Sequence, residues 1–302
     1  MTAKRRWIAV LCAIAAPTAV QAVSPAASSR EVQWLGEPSV FAPGVVSTEF
    51  REVRATVSPD GRLMLWGSSN RPGGSGSYDI WMSRRVGSRW GTPETVPFNT
   101  KDKEFDPAFS PDGRWVYFFS NRPGGLGGDD IYRVAVVGAS FGSVEHFGAE
   151  VNSPGNEWAP TLSPDGRTMI FSSDGRGGQG RHDLFVAQIN DGHVSDAQAI
   201  PGAINSPGDE FDAAFLNDST FIVYSHSANL QSEPVTLNIA TRGASGYEHG
   251  TVLPFSGKYL YAYGPEIDWH DPGILYFAAV PVGSKASADI YEIRYRIVRA
   301  RK

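Results

Sequence analysis

Short apolar runs recur along this chain and are separated by a repeated turn sequence. In the clearest copy, Phe105, Pro107 and Phe109 alternate with polar or small residues, which is the periodicity of a half-buried strand. The run 115–119 is aromatic and β-branched throughout, as in a strand buried on both faces. Between them, residues 111–113 read Pro-Asp-Gly, the composition of a tight turn. The segment therefore predicts an antiparallel hairpin.

Two further strands follow in the same unit. The Gly-rich stretch 121–128 predicts a loop, Ile131–Val134 a third strand, and Ser143–Phe147 a weaker fourth strand. Four antiparallel strands in about 50 residues are typical of one propeller blade.

The unit returns at a fixed period. The Ser of Ser-Pro-Asp-Gly lies at Ser58, Ser110 and Ser163, at spacings of 52 and 53 residues, and diverged copies place Leu216 and Trp269 at the corresponding turns. The sequence thus predicts an all-β, five-bladed β-propeller of four-stranded antiparallel blades. Residues 34–38 resemble a fourth strand, whereas the C-terminus ends on a third. We expect the N-terminal strand to complete the last blade, which closes the ring and removes exposed edges.

The N-terminus has the features of an export signal. Lys4–Arg6 precede the apolar run 7–16 and small residues near Ala22, so we expect residues 1–22 to be a secretory signal peptide. The Arg pair leaves a twin-arginine signal open as an alternative. Residues 23–31 are small and polar and predict a disordered lead. Residues 32–302 are then a single propeller domain, periplasmic or secreted, without a transmembrane segment after cleavage.

Charge and cysteine usage narrow the possible partners. The net charge is −5, and the predicted signal removes three cations and no acid, so the mature chain is acidic and a poor nucleic-acid binder. The single cysteine, Cys12, lies in the predicted signal, so no disulfide is expected. No cofactor is expected, and the protein is expected to be a monomer.

Repeated carboxylates are the first candidates for chemistry. Glu49, Glu104, Glu157, Glu210 and Glu266 open the first strand of each blade, which predicts a ring at one mouth of the central channel. The Gly-rich loops on that face carry arginines in the first three blades. The simpler interpretation is an intrablade Glu–Arg pair that fixes each loop, since a feature of every blade is usually architectural. These arginines are Arg71, Arg122 and Arg176.

Blades four and five lack the arginine but keep the glutamate. Unpaired neighbouring carboxylates raise one another's pKa or attract a cation. The sharper hypothesis is a ligand site at Glu210, Asp212, Glu266 and Asp268, with His226 and His270 as possible helpers. The same positions in blade two, Glu104 and Asp106, are included in this candidate ligand-binding set.

Other motifs carry less weight. No metal-ligand spacing occurs among the histidines, so no metal is predicted. Residues 124–131 fit a calcium-binding nonapeptide pattern, but that motif requires tandem copies, and a hairpin loop is expected instead. A Gly-x-Ser-x-Gly elbow is missing as well. Trp66, Trp115 and Trp158 occupy repeat positions and are predicted to be inter-blade core.

The repeat resembles a known family. Ser-Pro-Asp-Gly-Arg, an aromatic strand, Ser-Asn-Arg and Asp-Ile-Tyr recur as in TolB-like, Pro-Asp propeller repeats, strongly over 49–187 and weakly over 210–295. The resemblance implies a propeller and an envelope location. It does not imply one activity, because propellers host many.

Three functional hypotheses follow. The first is a non-catalytic envelope module that binds a protein or a glycan at the channel-mouth face. The second is a carbohydrate-active enzyme, a glycoside hydrolase or lyase, whose carboxylates stand at the channel. The third is an acidic ring that binds a cation for stability.

Overall fold

The structure is a computed structural model that describes residues 30–190 and 192–300. The predicted signal peptide, residues 1–22, and residues 23–29 of the predicted lead lie outside the described residues. The other two residues of that lead, Arg30 and Glu31, belong to the first strand.

Strands make up each of the five blades. The first strand is β1 (Arg30–Val40), and blade one follows with β2 (Arg51–Val57), β3 (Leu63–Ser69), β4 (Tyr78–Val86), β5 (Arg89–Trp90) and β6 (Glu94–Thr95). Blade two contains β7 (Glu104–Phe109), β8 (Trp115–Ser120), β9 (Asp130–Val137) and β10 (Ser140–His146). Blade three contains β11 (Glu157–Leu162), β12 (Thr168–Ser173), β13 (Asp183–Asn190), β14 (His193–Val194) and β15 (Gln198–Ala199). Blade four contains β16 (Asp209–Phe215), β17 (Phe221–Ser227), β18 (Thr236–Gly243), β19 (Gly246–Tyr247) and β20 (Thr251–Val252). Blade five contains β21 (Tyr259–Ile267), β22 (Ile274–Pro281) and β23 (Asp289–Arg299).

The sheet order confirms the predicted five-bladed propeller. Each blade is antiparallel, and blade five has the order β1-β23-β22-β21, so the N-terminal strand is its outer strand as expected. Trp34 of β1 packs edge-on against Phe255, with ring centroids 5.3 Å apart, and also contacts Tyr295. Residues 33–296 cluster as one compact unit, which holds the five blades; residues 30–32 and 297–300 fall in a second, small unit.

The repeated turn explains why each inner hairpin forms. In blade one, Ser58 Oγ donates to Asp60 Oδ1 at 2.6 Å and accepts the Leu63 N–H at 3.0 Å. Gly61 takes φ +69°, a left-handed conformation that favours glycine. The same Ser–Asp bond recurs at the corresponding turns of blades two and three.

Asparagines in the links between blades connect one sheet to the next. Asn152 accepts the Ile131 N–H at 2.7 Å and donates to the Ile131 carbonyl at 3.1 Å, which joins the start of blade three to β9. Asn99 and Asn205 make the same pair of bonds to Ile80 and Leu184. The repeated Asn-Ser/Thr link is therefore a structural device.

The hydrophobic core lies between adjacent blades. Leu65 and Ile80 of blade one pack with Phe109 and Phe118 of blade two in one buried cluster, and similar clusters join other neighbours. Among residues 30–190 and 192–300, no helix is long and apolar enough to cross a membrane. In the same ranges the only helical elements are two 3₁₀ turns, Gly148–Glu150 and Ser256–Lys258.

Candidate functional site

Four buried glutamates hold the inner strands of their blades in place. Glu157 accepts the Ser153 N–H at 2.8 Å and the hydroxyls of Ser153 and Ser173 at 2.5 and 2.7 Å. The corresponding residues in blades one, two and four make the same bonds to a Ser or Thr four residues earlier; they are Glu52, Glu104 and Glu210. Each carboxylate thus fixes the link that enters its blade.

The predicted five-membered glutamate ring is wrong. Glu52, not Glu49, occupies the repeat position in blade one, and Glu49 is exposed. In blade five that position is Ala262, which pairs with Ala279 as Glu210 pairs with His226. The repeated carboxylates accept their hydrogen bonds within the blades, where two or three nearby donors satisfy each of them.

Only one of the expected Glu–Arg pairs forms. Arg122 Nη2 lies 3.0 Å from Glu104 Oε1. Arg71 instead donates to the Val45 carbonyl at 3.2 Å and stacks on Trp81, and Arg176 donates to the Val151 carbonyl at 2.9 Å. In blade four, His226 stands where Ser120 and Ser173 stand in blades two and three, and its Nδ1 lies 2.8 Å from Glu210 Oε1.

Replacing Glu52 tests this assignment. We expect Glu52→Ala to lower the free energy of unfolding by about 2 kcal/mol, because Thr48 and Ser68 lose a buried acceptor. Glu49→Ala is the matched control and should change stability by less than about 0.5 kcal/mol. Urea melts of both variants measure the difference, and equal losses would contradict the assignment.

The candidate ligand set does not gather at one place. Asp268 lies at the far-end turn, where it accepts the Tyr276 hydroxyl at 2.7 Å and the N–H groups of His270 and Asp271. His270 lies at the same end, with Nδ1 3.2 Å from the Pro59 carbonyl. Within residues 30–190 and 192–300, no three His, Cys, Asp or Glu side chains are grouped as a metal site requires.

Glu266 lies on the channel axis but is not open to solvent. Its Oε2 is 2.7 Å from Arg54 Nη2, and both side chains are completely buried. Arg54 also donates to the carbonyls of Pro160 and Ala213, in blades three and four. This buried ion pair and its bonds therefore tie blades one, three, four and five together.

Asp106 and Asp212 do share one environment at the channel. Both lie two residues after the structural glutamate, at a β-bulge where the inner strand takes a left-handed residue. The φ angles there are 50° at Arg54, 51° at Asp106, 49° at Ala159, 46° at Asp212 and 62° at Gly264. The same bulge therefore recurs in every blade, but the residue at it is not constant: it is arginine, aspartate, alanine, aspartate and glycine in turn.

A cavity of about 580 Å³ opens above these bulges. Its walls are largely aromatic, and its floor carries Arg51, Asp106 and Asp212. The volume falls in the range of small-molecule sites, about 300–1,000 Å³. The aromatic residues that line it are Tyr78, Phe105, Phe119, Trp158, Phe211, Tyr261 and Tyr263.

The floor holds two interacting carboxyls of unequal acidity. Burial and the neighbouring Asp212 carboxylate raise the pKa of Asp106 strongly, and the Arg54 and Arg51 charges only partly offset this. Burial also raises the pKa of Asp212, but less, because Arg54 and a bond from the Gly264 N–H favour its charged form. At neutral pH the pair therefore holds about one proton, chiefly on Asp106.

Polar groups at the cavity rim are already paired. Lys103 Nζ lies 2.8 Å from Asp129 Oδ2, which also accepts the Trp158 Nε1–H at 2.8 Å. His182 stacks on Trp158, with ring centroids 4.4 Å apart, and its Nδ1 lies 2.9 Å from Asp209 Oδ1. The rim thus holds Trp158 in a defined orientation.

Comparisons with known proteins support the architecture. No family model matches the chain. It is 42% identical over 67 residues to an uncharacterized protein of Agrobacterium fabrum, Atu1656, a match that spans 22% of this chain and 20% of that protein. The α-L-arabinofuranosidase PaAbf62A from Podospora anserina, solved with cellotriose, is similar with a TM-score of 0.55 and 9% identity, over 89% of this chain and 98% of the enzyme. TolB from Acinetobacter baumannii is similar with a TM-score of 0.48 and 15% identity, over 83% of this chain and 56% of TolB.

The similarity to PaAbf62A shows the fold alone. The chain spans only part of the length of Atu1656 and of TolB, so neither defines what it does.

The cavity contains residues that the sequence did not single out. Arg51, Lys103, Tyr78 and Tyr263 line it without belonging to a recognised motif. Trp158, predicted to be inter-blade core, lines the cavity instead, whereas Trp66 is fully buried as expected. A signal existed for Trp158: it directly follows the structural Glu157, the position that Phe105 and Phe211 occupy in blades two and four.

Proposed function

We propose that this propeller is a non-catalytic binding module of the cell envelope whose ligand is a glycan held in the channel-mouth cavity. The observation that carries the proposal is one concave site with aromatic walls above a floor of Arg51, Asp106 and Asp212. Apolar and aromatic walls with a few convergent polar groups characterise small-ligand sites. Sugar rings fit this arrangement, since they offer apolar faces to the walls and hydroxyls to the floor.

A glycan suits the site better than a folded protein partner does. The cavity is concave, and the exposed large apolar side chains are scattered, with Val86 and Val137 at hairpin ends and Leu126 in a loop. A protein interface typically needs a contiguous patch of roughly 800 Å² per partner. The envelope location rests on the predicted signal peptide and on the TolB-like repeat.

A glycoside hydrolase is the second candidate, favoured by one observation. Asp106 retains a proton that the more acidic Asp212 gives up, which matches the acid and the carboxylate that such enzymes need. The solved arabinofuranosidase PaAbf62A has the same type of fold. Hydrolysis of oligosaccharides by the exported chain, abolished in Asp106→Asn, would establish this candidate in place of the binding module.

Binding of defined trisaccharides tests the proposal. We expect calorimetric titration of the exported chain with β-1,4-linked trisaccharides, beginning with cellotriose, to show one site for at least one of them. Trp158→Ala should weaken that binding by about tenfold or more, because the wall loses its stacking surface. Trp115→Ala, which removes an indole packed under Arg133 away from the cavity, is the control. Binding that Trp158→Ala leaves unchanged would refute the cavity as the site.

A further inference from the structure

We propose that the cavity floor recognises a cationic amine, so that the preferred ligand is a glycan that carries a free ammonium group, such as an unacetylated amino sugar. This inference rests on the proposed function and specifies its ligand. It follows from the charge balance of the floor, an unpaired buried oxygen and the aromatic walls.

The floor and the axis beneath it carry one more negative group than positive. Asp106, Asp212 and Glu266 face two guanidinium groups, those of Arg51 and Arg54. Arg54 pairs with Glu266 at 2.7 Å, and Arg51 donates to the Tyr263 hydroxyl at 2.9 Å while its charge acts on both aspartates.

Neighbouring cations supply little of the missing charge: that of His182 acts on Asp212, but each of these groups is paired with a carboxylate of its own. Lys103 is paired with Asp129, and His182 with Asp209, which Arg181 also contacts. The Asp129 charge adds to the negative potential at Asp106. A ligand with one positive charge would balance the floor.

Asp106 presents the atom that such a ligand would contact. Its side chain lines the cavity and is 5% exposed, and Oδ1 has no hydrogen-bond partner among the described residues. A buried carboxyl oxygen without a hydrogen-bond donor is energetically unfavourable. An ammonium group has three N–H donors and no acceptor, which suits Asp106 Oδ1 together with the Asp212 carboxylate.

The aromatic walls already accommodate a cation. Lys103 Nζ lies 5.7 Å from the centre of the Tyr78 ring and 5.6 Å from that of Phe119, within the range of cation–π attraction. Phe105, Phe211 and Trp158 line the same cavity. An amine bound in it would therefore have aromatic rings nearby, and their faces attract positive charge.

In the free protein a proton takes the place of this cation. Because burial and Asp212 raise the pKa of Asp106, the floor is neutralised by protonation near pH 7. Binding then exchanges one positive charge for another: the ammonium pairs with the Asp106 carboxylate, and the carboxyl proton leaves to solvent.

Three trisaccharides with the same linkage distinguish recognition of the amine from recognition of the sugar. Cellotriose carries hydroxyls, the N-acetylglucosamine trimer carries neutral amides, and the glucosamine trimer carries chiefly ammonium groups at about pH 6.5. We expect the exported chain to bind the glucosamine trimer about tenfold or more tightly than either neutral trimer. Titration in buffers of different ionisation enthalpy should show release of about one proton for that ligand only.

Asp106→Asn should remove the preference, while Asp112→Asn, on an exposed turn of the same blade, should keep it. Equal affinities for the three trimers, no proton release, or a preference that survives in Asp106→Asn would each overturn the inference. Equal but measurable affinities would leave the proposed glycan site intact, whereas no binding of any trimer would refute both. The proton count comes from the unmodified chain and needs no variant to fold.

Discussion

Arg54→Met is expected to lower the free energy of unfolding by about 3–5 kcal/mol, because it leaves Glu266 buried without its partner. Both side chains have no solvent exposure, so water does not compensate for the lost guanidinium. The variant also removes donors to the Pro160 and Ala213 carbonyls, which link blade one to blades three and four. Denaturant melts that report the midpoint and the m-value measure the loss.

A double variant distinguishes the loss of stability caused by the unpaired charge from the loss caused by poorer packing. In Arg54→Met/Glu266→Leu the uncompensated carboxyl is gone, and we expect most of the stability to return, as is found when buried ion pairs are replaced by apolar side chains. The control is Arg114→Met, which removes an exposed partner of Asp112 and should cost less than about 1 kcal/mol. A loss in Arg54→Met no larger than in Arg114→Met would show that the axial pair does not hold the blades together.

The fold was predictable because its signals are local and repeated. Ser58, Ser110 and Ser163 mark hairpin turns whose hydrogen bonds involve only residues within five positions. The hydrogen bonds of Asp130 are local too, since it accepts the N–H groups of Leu126 and Gly127 in its own loop. Ring closure by residues 34–38 followed from counting strands.

The candidate site was harder to predict from the sequence because it depends on the register of the inner strands. Counting six residues back from the turn Ser at 58, 110 and 163 gives Glu52, Glu104 and Glu157, whereas Glu49 lies nine residues back. In blade five the repeat is shifted, so that Asp268 takes the place of the turn Ser and Ala262 that of the glutamate. One misassigned residue moves a side chain to the other face of a strand.

The axial groups carry only a partial local signal. Asp106 and Asp212 each follow a repeated glutamate by two residues, which singled them out, but blade one has Arg54 at this bulge position, and no repeat reveals that arginine. Their meeting on the axis depends on closure of all five blades. The structural residues repeat from blade to blade and can be predicted from their spacing. The residues of the candidate site differ from one blade to the next and can be predicted only in part in this way.

Asp106→Asn is expected to stabilise the protein increasingly as pH rises from about 4 to about 8, and to have little effect below the unfolded-state pKa of Asp106. The folded-state pKa of Asp106 is raised by burial to about 8 from an ordinary 3.8, so between these values the native chain binds a proton that the unfolded chain lacks. Stability is then fully present below the unfolded pKa and falls as pH rises towards 8, by about 1.4 kcal/mol for each pH unit and proton.

Asparagine resembles the protonated side chain and has no proton to lose, so this decrease in stability with rising pH is absent from the variant. We expect the excess in unfolding free energy of Asp106→Asn over the unmodified chain to grow by about 4 kcal/mol between pH 5 and pH 8.5. A shallower decline should remain, because burial raises the pKa of Glu52 to about 7 and those of Glu157 and Glu266 as well. Urea melts across this pH range measure both slopes.

Asp112→Asn provides the matched control. Partial burial opposes its ionisation, but bonds from Ser110 and Arg114 outweigh it and lower the pKa of Asp112, so its contribution is present above the usual aspartate value and is lost only in acid. The control should therefore shift stability by the same amount at pH 5 and pH 8.5. If Asp106→Asn behaves in the same way, the two channel carboxyls do not share a proton, and the charge balance proposed for the cavity floor fails with it.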